Sequence, residues 1–246
     1  MRYELYYWPE IPGRGEFVRL ALEAAAADYV DIARLPQRSG MGVPALLRII
    51  EDRTIGHPPF APPVLKAGKN IIAQTANILL YLGPRLGLAP KSEAGRLWAH
   101  QLQLTIADLV TEVHDCHHPI GSGLYYEEQK REAKRRARDF RAARLPKFLD
   151  YFETVMKRNA GSRHCMIGSR LSYIDLSMFQ MFEGLNYAFP RTMARLKSRW
   201  PRLTALHHAV AGRPRVTAYL ASPRRLPFNT QGIFRHYPEL DGQAGA

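Results

Sequence analysis

The chain has 246 residues, 46% hydrophobic and 23% charged, a size and balance suited to one large or two small domains with a real core. No apolar run approaches the length of a membrane span, the amino terminus reads as a strand with no signal-peptide pattern, and Cys116 and Cys165 form no motif, so a soluble cytoplasmic protein is expected. The formal net charge of +13 is unusual and needs its own explanation.

From the amino terminus, RYELYYWP reads as a strand, and Pro9 to Gly15 as a loop broken by Pro and Gly. Successive strand residues face opposite sides, so only one of Tyr6 and Tyr7 faces a given side. EFVRLALEAA has helical spacing, with Phe17, Leu20, Ala21 and Ala24 on one face. Residues 62 to 83 carry the densest pattern. Pro62-Pro63 leads into a short strand (Val64, Leu65), Gly68 turns the chain, and Ile71-Ile72 forms a second strand. A helix containing Ile78, Leu79, Leu80 and Leu82 follows, with Thr75 as its expected N-cap and Gly83 as its left-handed C′ residue. A helix that starts directly after a strand turns free N–H groups and its positive end outward, a setting suited to a carboxylate. Gln74 adds an amide that both donates and accepts.

Residues 84 to 95 are rich in Pro, Gly and polar residues and mark a boundary, giving expected domains at 1–83 and 96–220 and a tail at 221–246. Beyond the boundary the chain reads as helical. Trp98, Leu102, Ile106, Leu109, Val110 and Val113 define one long helix ending before Pro119. A second helical stretch runs from about Glu127 to Arg158 and is expected to kink or break at Pro146. Ser172 to Asp175 reads as a capping box, with Leu171 and Leu176 placed for a hydrophobic staple, before an apolar run that should be buried on most sides. Further helices are expected from Pro201 to Ala211 and from Pro214 to Leu220. The tail brings Phe228, Phe234 and Tyr237, expected to pack back on the domains, and a frayed end from Gly242.

These motifs, in this order, resemble the glutathione S-transferase family, in particular its soluble, tyrosine-type members, with a bacterial-like homologue in mind. The resemblance covers residues 1 to about 220. It implies an α/β thioredoxin-like N-terminal domain followed by an all-α C-terminal domain. It implies a cis-proline at Pro63 and a Gln74-Thr75 pair holding the γ-glutamyl group of glutathione. Counting back from Arg19, Gly13 and Arg14 fall on family positions, with Arg14 near the γ-glutamyl group. Tyr7 reaches the catalytic tyrosine position with one extra residue in the loop. Residues 8 to 16 contain no Ser or Cys, which disfavours classes that use either. Asp108 resembles the acidic residue that reaches the partner subunit's glutathione in a homodimer, although a solvated helix face explains it equally well. Pro62 is a departure: the residue at this place normally pairs with the cysteinyl part through its N–H and C=O, and proline has no N–H. Weaker glutathione binding is the consequence expected.

The implied activity is attack of the glutathione thiolate, stabilised by a tyrosine hydroxyl, on a hydrophobic electrophile in detoxification, with glutathione as co-substrate and no metal. A rival reading is a non-catalytic binding or scaffold protein of the same fold. His114, Asp115, His117 and His118 invite a metal reading, with His114 and His118 one helical turn apart, yet two imidazoles without a second ligand pair do not make a zinc site; a role of His114 or His118 toward the acceptor substrate is the alternative. Residues 130 to 147 carry nine Lys or Arg against Glu132 and Asp139. With no recognition motif or aromatic platform beside it, that run reads as a solvated helix face, and nucleic acid is not the expected partner.

Overall fold

Alternation along the first strand, β1 (Tyr3–Tyr6), decides which helices pack on which face of the sheet. The computed structural model describes residues 1–242. Within them β1 runs parallel to β2 (Tyr29–Asp31) and antiparallel to β3 (Val64–Ala67), which in turn pairs with β4 (Asn70–Ala73), in the order β2-β1-β3-β4. Tyr3 and Leu5 point to one face, where they pack with Val18 and Leu22 of α1 (Gly15–Ala24) and Ile78 and Leu82 of α3 (Thr75–Arg85). Tyr6 points to the other face, with Val30, Ile32 and the Ala45-Leu46 pair of α2 (Gly42–Glu51). This is the βαβ–ββα order of a thioredoxin-like sheet. β2 and α2 are elements that the sequence pattern does not announce; at three residues β2 is too short to show a period.

The end of α3 corrects the expectation for Gly83. The helix continues through Pro84 to Arg85, and Gly87 is the residue with positive φ, at 69°. Leu88 N–H donates to the Gly83 carbonyl at 2.7 Å, closing the helix in a Schellman pattern one turn later than expected. Pro84 lies inside the helix and has no N–H to give the Leu80 carbonyl, so one intrahelical bond is missing just before the helix ends. The start is corrected by one residue as well. Gln74 is the N-cap, with φ 70° and ψ 120°, and Thr75 is the first helical residue.

The described residues divide into two units, 1–100 with 213–227, and 101–212 with the segment from 228 onward. α4 (Glu93–Asp115) runs from the first into the second. In the first unit α10 (Pro214–Leu220) adds to α1: Tyr219 donates to Glu16 at 2.6 Å.

The second unit is helical. α5 (Lys130–Asp139) continues through a π-helical turn at Phe140–Arg144 into α6 (Leu145–Arg158). Pro146 therefore does not break the chain: it sits at the second position of α6, where its missing N–H falls beside a wide turn that already departs from α-helical bonding. Ala133, Ala137, Phe140 and Leu145 face inward, while Arg131, Lys134, Arg135, Arg138 and Lys147 stay exposed. Arg136 and Arg144 instead grip Glu112 of α4. α7 (Tyr173–Ala188) is buried along nearly its whole length, and α9 (Pro201–Ala211) packs against it and α6. α8 (Pro190–Leu196) starts on a carboxylate from the tail: Arg191 and Thr192 N–H donate to Asp241. Phe228 stacks on Tyr187 at 5.0 Å between ring centroids, and Tyr237 on Tyr126 at 3.8 Å. The fraying expected at the carboxyl end falls, from residue 243, outside the described residues.

Candidate active site

The antiparallel register gathers the candidate residues at one end of the sheet. Val64 pairs with Tyr6 on one side and Ala73 on the other. The next residues outward are therefore Tyr7, Pro63 and Gln74. The Pro62-Pro63 bond is cis. Pro62 is half-buried, Pro63 buried and Gln74 exposed.

Tyr7 turns to the α1 side of the sheet. It is 4% exposed, and its hydroxyl accepts the Arg14 N–H at 2.8 Å. The residues around it must be small. A Cβ on Gly13, which has φ 45°, would lie 2.1 Å from the Tyr7 hydroxyl, and one on Gly15 would strike the ring at 2.6 Å. Burial raises the Tyr7 pKa; the Arg14 N–H, the Arg14 charge and Arg19 pull it back without prevailing. The phenol is thus neutral at pH 7, and with its oxygen accepting from Arg14 its own proton is available to an outside acceptor.

The half-buried Thr75 hydroxyl lies 3.4 Å from the Arg14 carbonyl, which ties the start of α3 to the loop that starts α1. The N-termini of α1 and α3 meet here with their positive ends; at α1 the Arg14 N–H serves the Tyr7 hydroxyl and the Glu16 N–H the Pro12 carbonyl. The first intrahelical bond of α3 is from Ile78 N–H to the Gln74 carbonyl at 2.8 Å.

Tyr6 has a different environment. Its hydroxyl donates to Glu4 at 2.6 Å, and it lines a cavity of about 580 Å³ with Arg48, Lys66 and Ile71 that includes none of Tyr7, Gln74 or Thr75. Asp108 is exposed on α4, in the second unit.

A buried charge cluster beneath Tyr7 had no counterpart in the sequence reading. Arg19 is fully buried and sits 5.7 Å from the Tyr7 ring centroid. It donates to Asp31 at 2.7 Å, to the Pro12 carbonyl at 3.2 Å and to Glu16 at 3.3 Å. Glu16 also accepts from Tyr219, and from Arg225 at 2.5 Å. Burial works against the Arg19 cation, but Asp31 and Glu16 more than offset it and raise its pKa. Asp31 goes up too, because burial outweighs Arg19. The signal for this cluster was the opposite-charge pair Glu16 and Arg19 at i,i+3 inside an otherwise apolar helix.

Among the described residues, His114, His117 and His118 form the group able to hold a metal ion, with one ligand atom from each lying within 4.8 Å of the others. Burial pushes the His117 imidazole down to about 3 and His118 to about 4.

Comparison with known proteins bears on both units. Residues 114–223 match the family model described as glutathione S-transferase, C-terminal domain. A glutathione S-transferase of Plasmodium falciparum is 23% identical over 223 residues, covering 89% of this chain and 94% of the relative. Human glutathione S-transferase P is 27% identical over 175 residues, 69% of this chain and 74% of the relative. Among solved structures, the Pi-class glutathione S-transferase of Onchocerca volvulus superposes with a TM-score of 0.68 at 21% identity, covering 89% of this chain and 92% of its own. Prostaglandin synthase D of Nilaparvata lugens gives 0.69 at 20%, covering 92% and 100%. These two likenesses carry the fold.

Proposed function

We propose that the chain is a glutathione S-transferase that conjugates the glutathione thiolate to a hydrophobic electrophile, with Tyr7 as hydrogen-bond donor to the sulfur. The observation that supports this is the Tyr7 hydroxyl itself: neutral, oriented by the Arg14 N–H, and left with one proton to give. A free thiol with a pKa near 8.5 is only about 3% thiolate at pH 7. A hydrogen bond to the anion that lowers this by about two units takes roughly 2.7 kcal/mol and makes most of the bound thiol reactive. Tyr7 is then an electrostatic stabiliser, neither nucleophile nor base.

In this reading the γ-glutamyl carboxylate meets the start of α3, with Gln74, Thr75 and Arg14 as its partners, and the cysteinyl backbone meets Pro62 and Pro63. The Pro62 carbonyl accepts, but no N–H answers it. Asp108 of one chain serves the glutathione of a second copy in a cytoplasmic homodimer. Phe60, 92% exposed three residues before Pro63, is the kind of side chain that such an interface would cover.

Tyr7→Phe tests the assignment. Glutathione affinity should stay nearly intact, while turnover of a chromogenic electrophile falls tenfold or more and the bound thiol's pKa rises, the effect of losing one hydrogen bond to an anion. Tyr6→Phe should do little, since its hydroxyl serves Glu4. A larger loss from Tyr6→Phe would overturn the assignment. One observation favours a second reading, a binding protein of this fold without turnover: the Tyr7 hydroxyl is packed against Gly13 and shielded from solvent. Calorimetric binding of glutathione with no conjugation of any electrophile would select that reading.

A further inference from the structure

We propose that His114, His117 and His118 form a binding site for a divalent late transition-metal cation, with zinc(II) as the reference ion. The sequence paired only His114 with His118. The chain leaves α4 at Asp115 in a tight turn, with both His117 and His118 N–H donating to the His114 carbonyl at 3.1 and 3.2 Å, and this brings the third ring to the other two.

The three rings face one another with centroids 5.0, 5.2 and 4.7 Å apart. Tetrahedral zinc with metal–nitrogen bonds of about 2.0–2.1 Å requires imidazole centroids roughly 5 Å apart and nitrogens roughly 3.3 Å apart. The ring spacing meets the first of these demands; the His117 and His118 Nδ1 atoms, at 2.5 Å, must move apart by about 0.8 Å to admit the ion. His117 Nε2 donates to the Ile233 carbonyl at 2.8 Å, so its neutral ring presents a bare Nδ1 lone pair to the cluster. A backbone carbonyl on the far nitrogen is the usual way of fixing a metal-binding tautomer. The two Nδ1 atoms of His117 and His118 approach to 2.5 Å, closer than an ordinary N–H···N bond. A cation can take the place of the one proton that fits between them, and that proton passes to the His118 Nε2 or to solvent.

The surroundings set limits on the ion. His117 and His118 are 2% and 8% exposed, whereas the His114 side chain is 24% exposed, so entry and a fourth, water ligand fall on the His114 side. Asp115 and Glu127 supply negative charge, and Arg235 opposes it. Cys116 is no ligand, because its thiol is held to the Glu112 carbonyl of its own helix at 3.3 Å. Three imidazole ligands, with the Asp115 carboxylate 3.4 Å from His114 Nδ1, suit zinc, copper or nickel and discriminate against magnesium and calcium, which prefer oxygen. All three ligands and Ile233 belong to the second unit, so the site uses none of the residues around Tyr7.

The test uses the full chain, stripped by chelator and titrated with cobalt(II) in the visible range, then with zinc(II) in competition. One equivalent should bind at micromolar concentration with the intense d–d bands of a four-coordinate ion, and zinc should displace it. His114→Asn and His118→Asn should each weaken binding at least tenfold, while His57→Asn, in an exposed loop, leaves it unchanged. Absence of saturable binding below about 100 μM, or equal affinity in His57→Asn and His114→Asn, overturns the proposal. His114 is only half-buried, so its variant still decides if His118→Asn fails to fold.

Discussion

Two carboxylate clusters, one in each unit, are buried to the same degree and organised in opposite ways. Asp175, at the start of α7, is fully buried and accepts from the Ser172 N–H at 2.7 Å, the Ser172 hydroxyl at 2.8 Å and the Met166 N–H at 2.6 Å. These two partner residues lie three and nine positions away in the chain. Glu16, Arg19 and Asp31, beneath Tyr7, draw on residues 12, 219 and 225 as well. They also leave Arg19 Nη2 and Asp31 Oδ1 buried without hydrogen-bond partners. A cluster satisfied by local backbone stabilises one helix start. A cluster assembled from distant residues and incompletely satisfied belongs where charge beside a reactive group has a use.

The sharpest break of that comparison is Asp175→Ala. It orphans three buried donors at once, and the cost should be about 3–5 kcal/mol, read as a lower urea midpoint. Turnover per folded molecule should not change, since this cluster belongs to the second unit and Tyr7 to the first. A loss of turnover at full folding would erase the distinction between the two clusters.

Arg19→Met is the matching experiment in the first unit. It should cost about 3 kcal/mol, less than a bare buried pair would, because Tyr219 and Arg225 still hold Glu16. Turnover should fall as well, since Arg19 lies under the Tyr7 ring and its bond to the Pro12 carbonyl fixes the loop. Asp31 gives the pH dependence. Its folded pKa is already raised by burial, and removing Arg19 takes away the largest opposing influence, so it rises further. A carboxylate with a folded pKa above its unfolded value favours the fold at low pH and loses that advantage as pH climbs from about 4 through the folded pKa. The deficit of Arg19→Met against wild type should therefore shrink at pH 5 and widen at pH 8. A deficit flat across that range would mean that Asp31 does not lean on Arg19.

The contrast also explains what could be read from the chain. The Ser172–Asp175 box, the long helix through Val113, the hairpin after Pro63 and the helices from 201 and 214 are local patterns, and each is present. Of the cluster around Arg19 only the Glu16–Arg19 pair at i,i+3 was legible, because Tyr219 and Arg225, which complete it, lie 203 and 209 residues from Glu16 and no periodicity links them. Gly83 misled for a related reason: several glycines follow the apolar run of α3, and which one adopts positive φ depends on where Leu88 finds its carbonyl. His117 was named with the other histidines, but the metal reading was set aside because helical spacing pairs only His114 with His118, and the turn beyond Asp115 that brings in the third ring has no period. At the Tyr7 end, Tyr6 and Tyr7 were separable only through the loop, and the structure shows why the loop matters: Gly13 and Gly15 leave room for one tyrosine ring between them.

The smallest effect tests the exposed rim of the same end. Gln74 holds φ 70°, a conformation that costs a non-glycine residue on the order of 1–3 kcal/mol, and its side chain makes no cap bond to the helix it starts. Among the described residues no cap bond from the Gln74 side chain offsets that strain. A ligand would, because the same backbone turn presents the Gln74 amide beside the open N–H groups of α3. Gln74→Gly separates the two. Glycine adopts positive φ freely, while its greater freedom in the unfolded chain takes back about 0.4–1 kcal/mol. The variant should therefore unfold at the same temperature or a few degrees higher. Its affinity for glutathione should nevertheless drop several-fold, the worth of one lost hydrogen bond. Higher stability with weaker binding would mark Gln74 as a residue kept for its ligand. Lower stability would assign the strained turn to the fold instead, and unchanged affinity would take Gln74 out of the site.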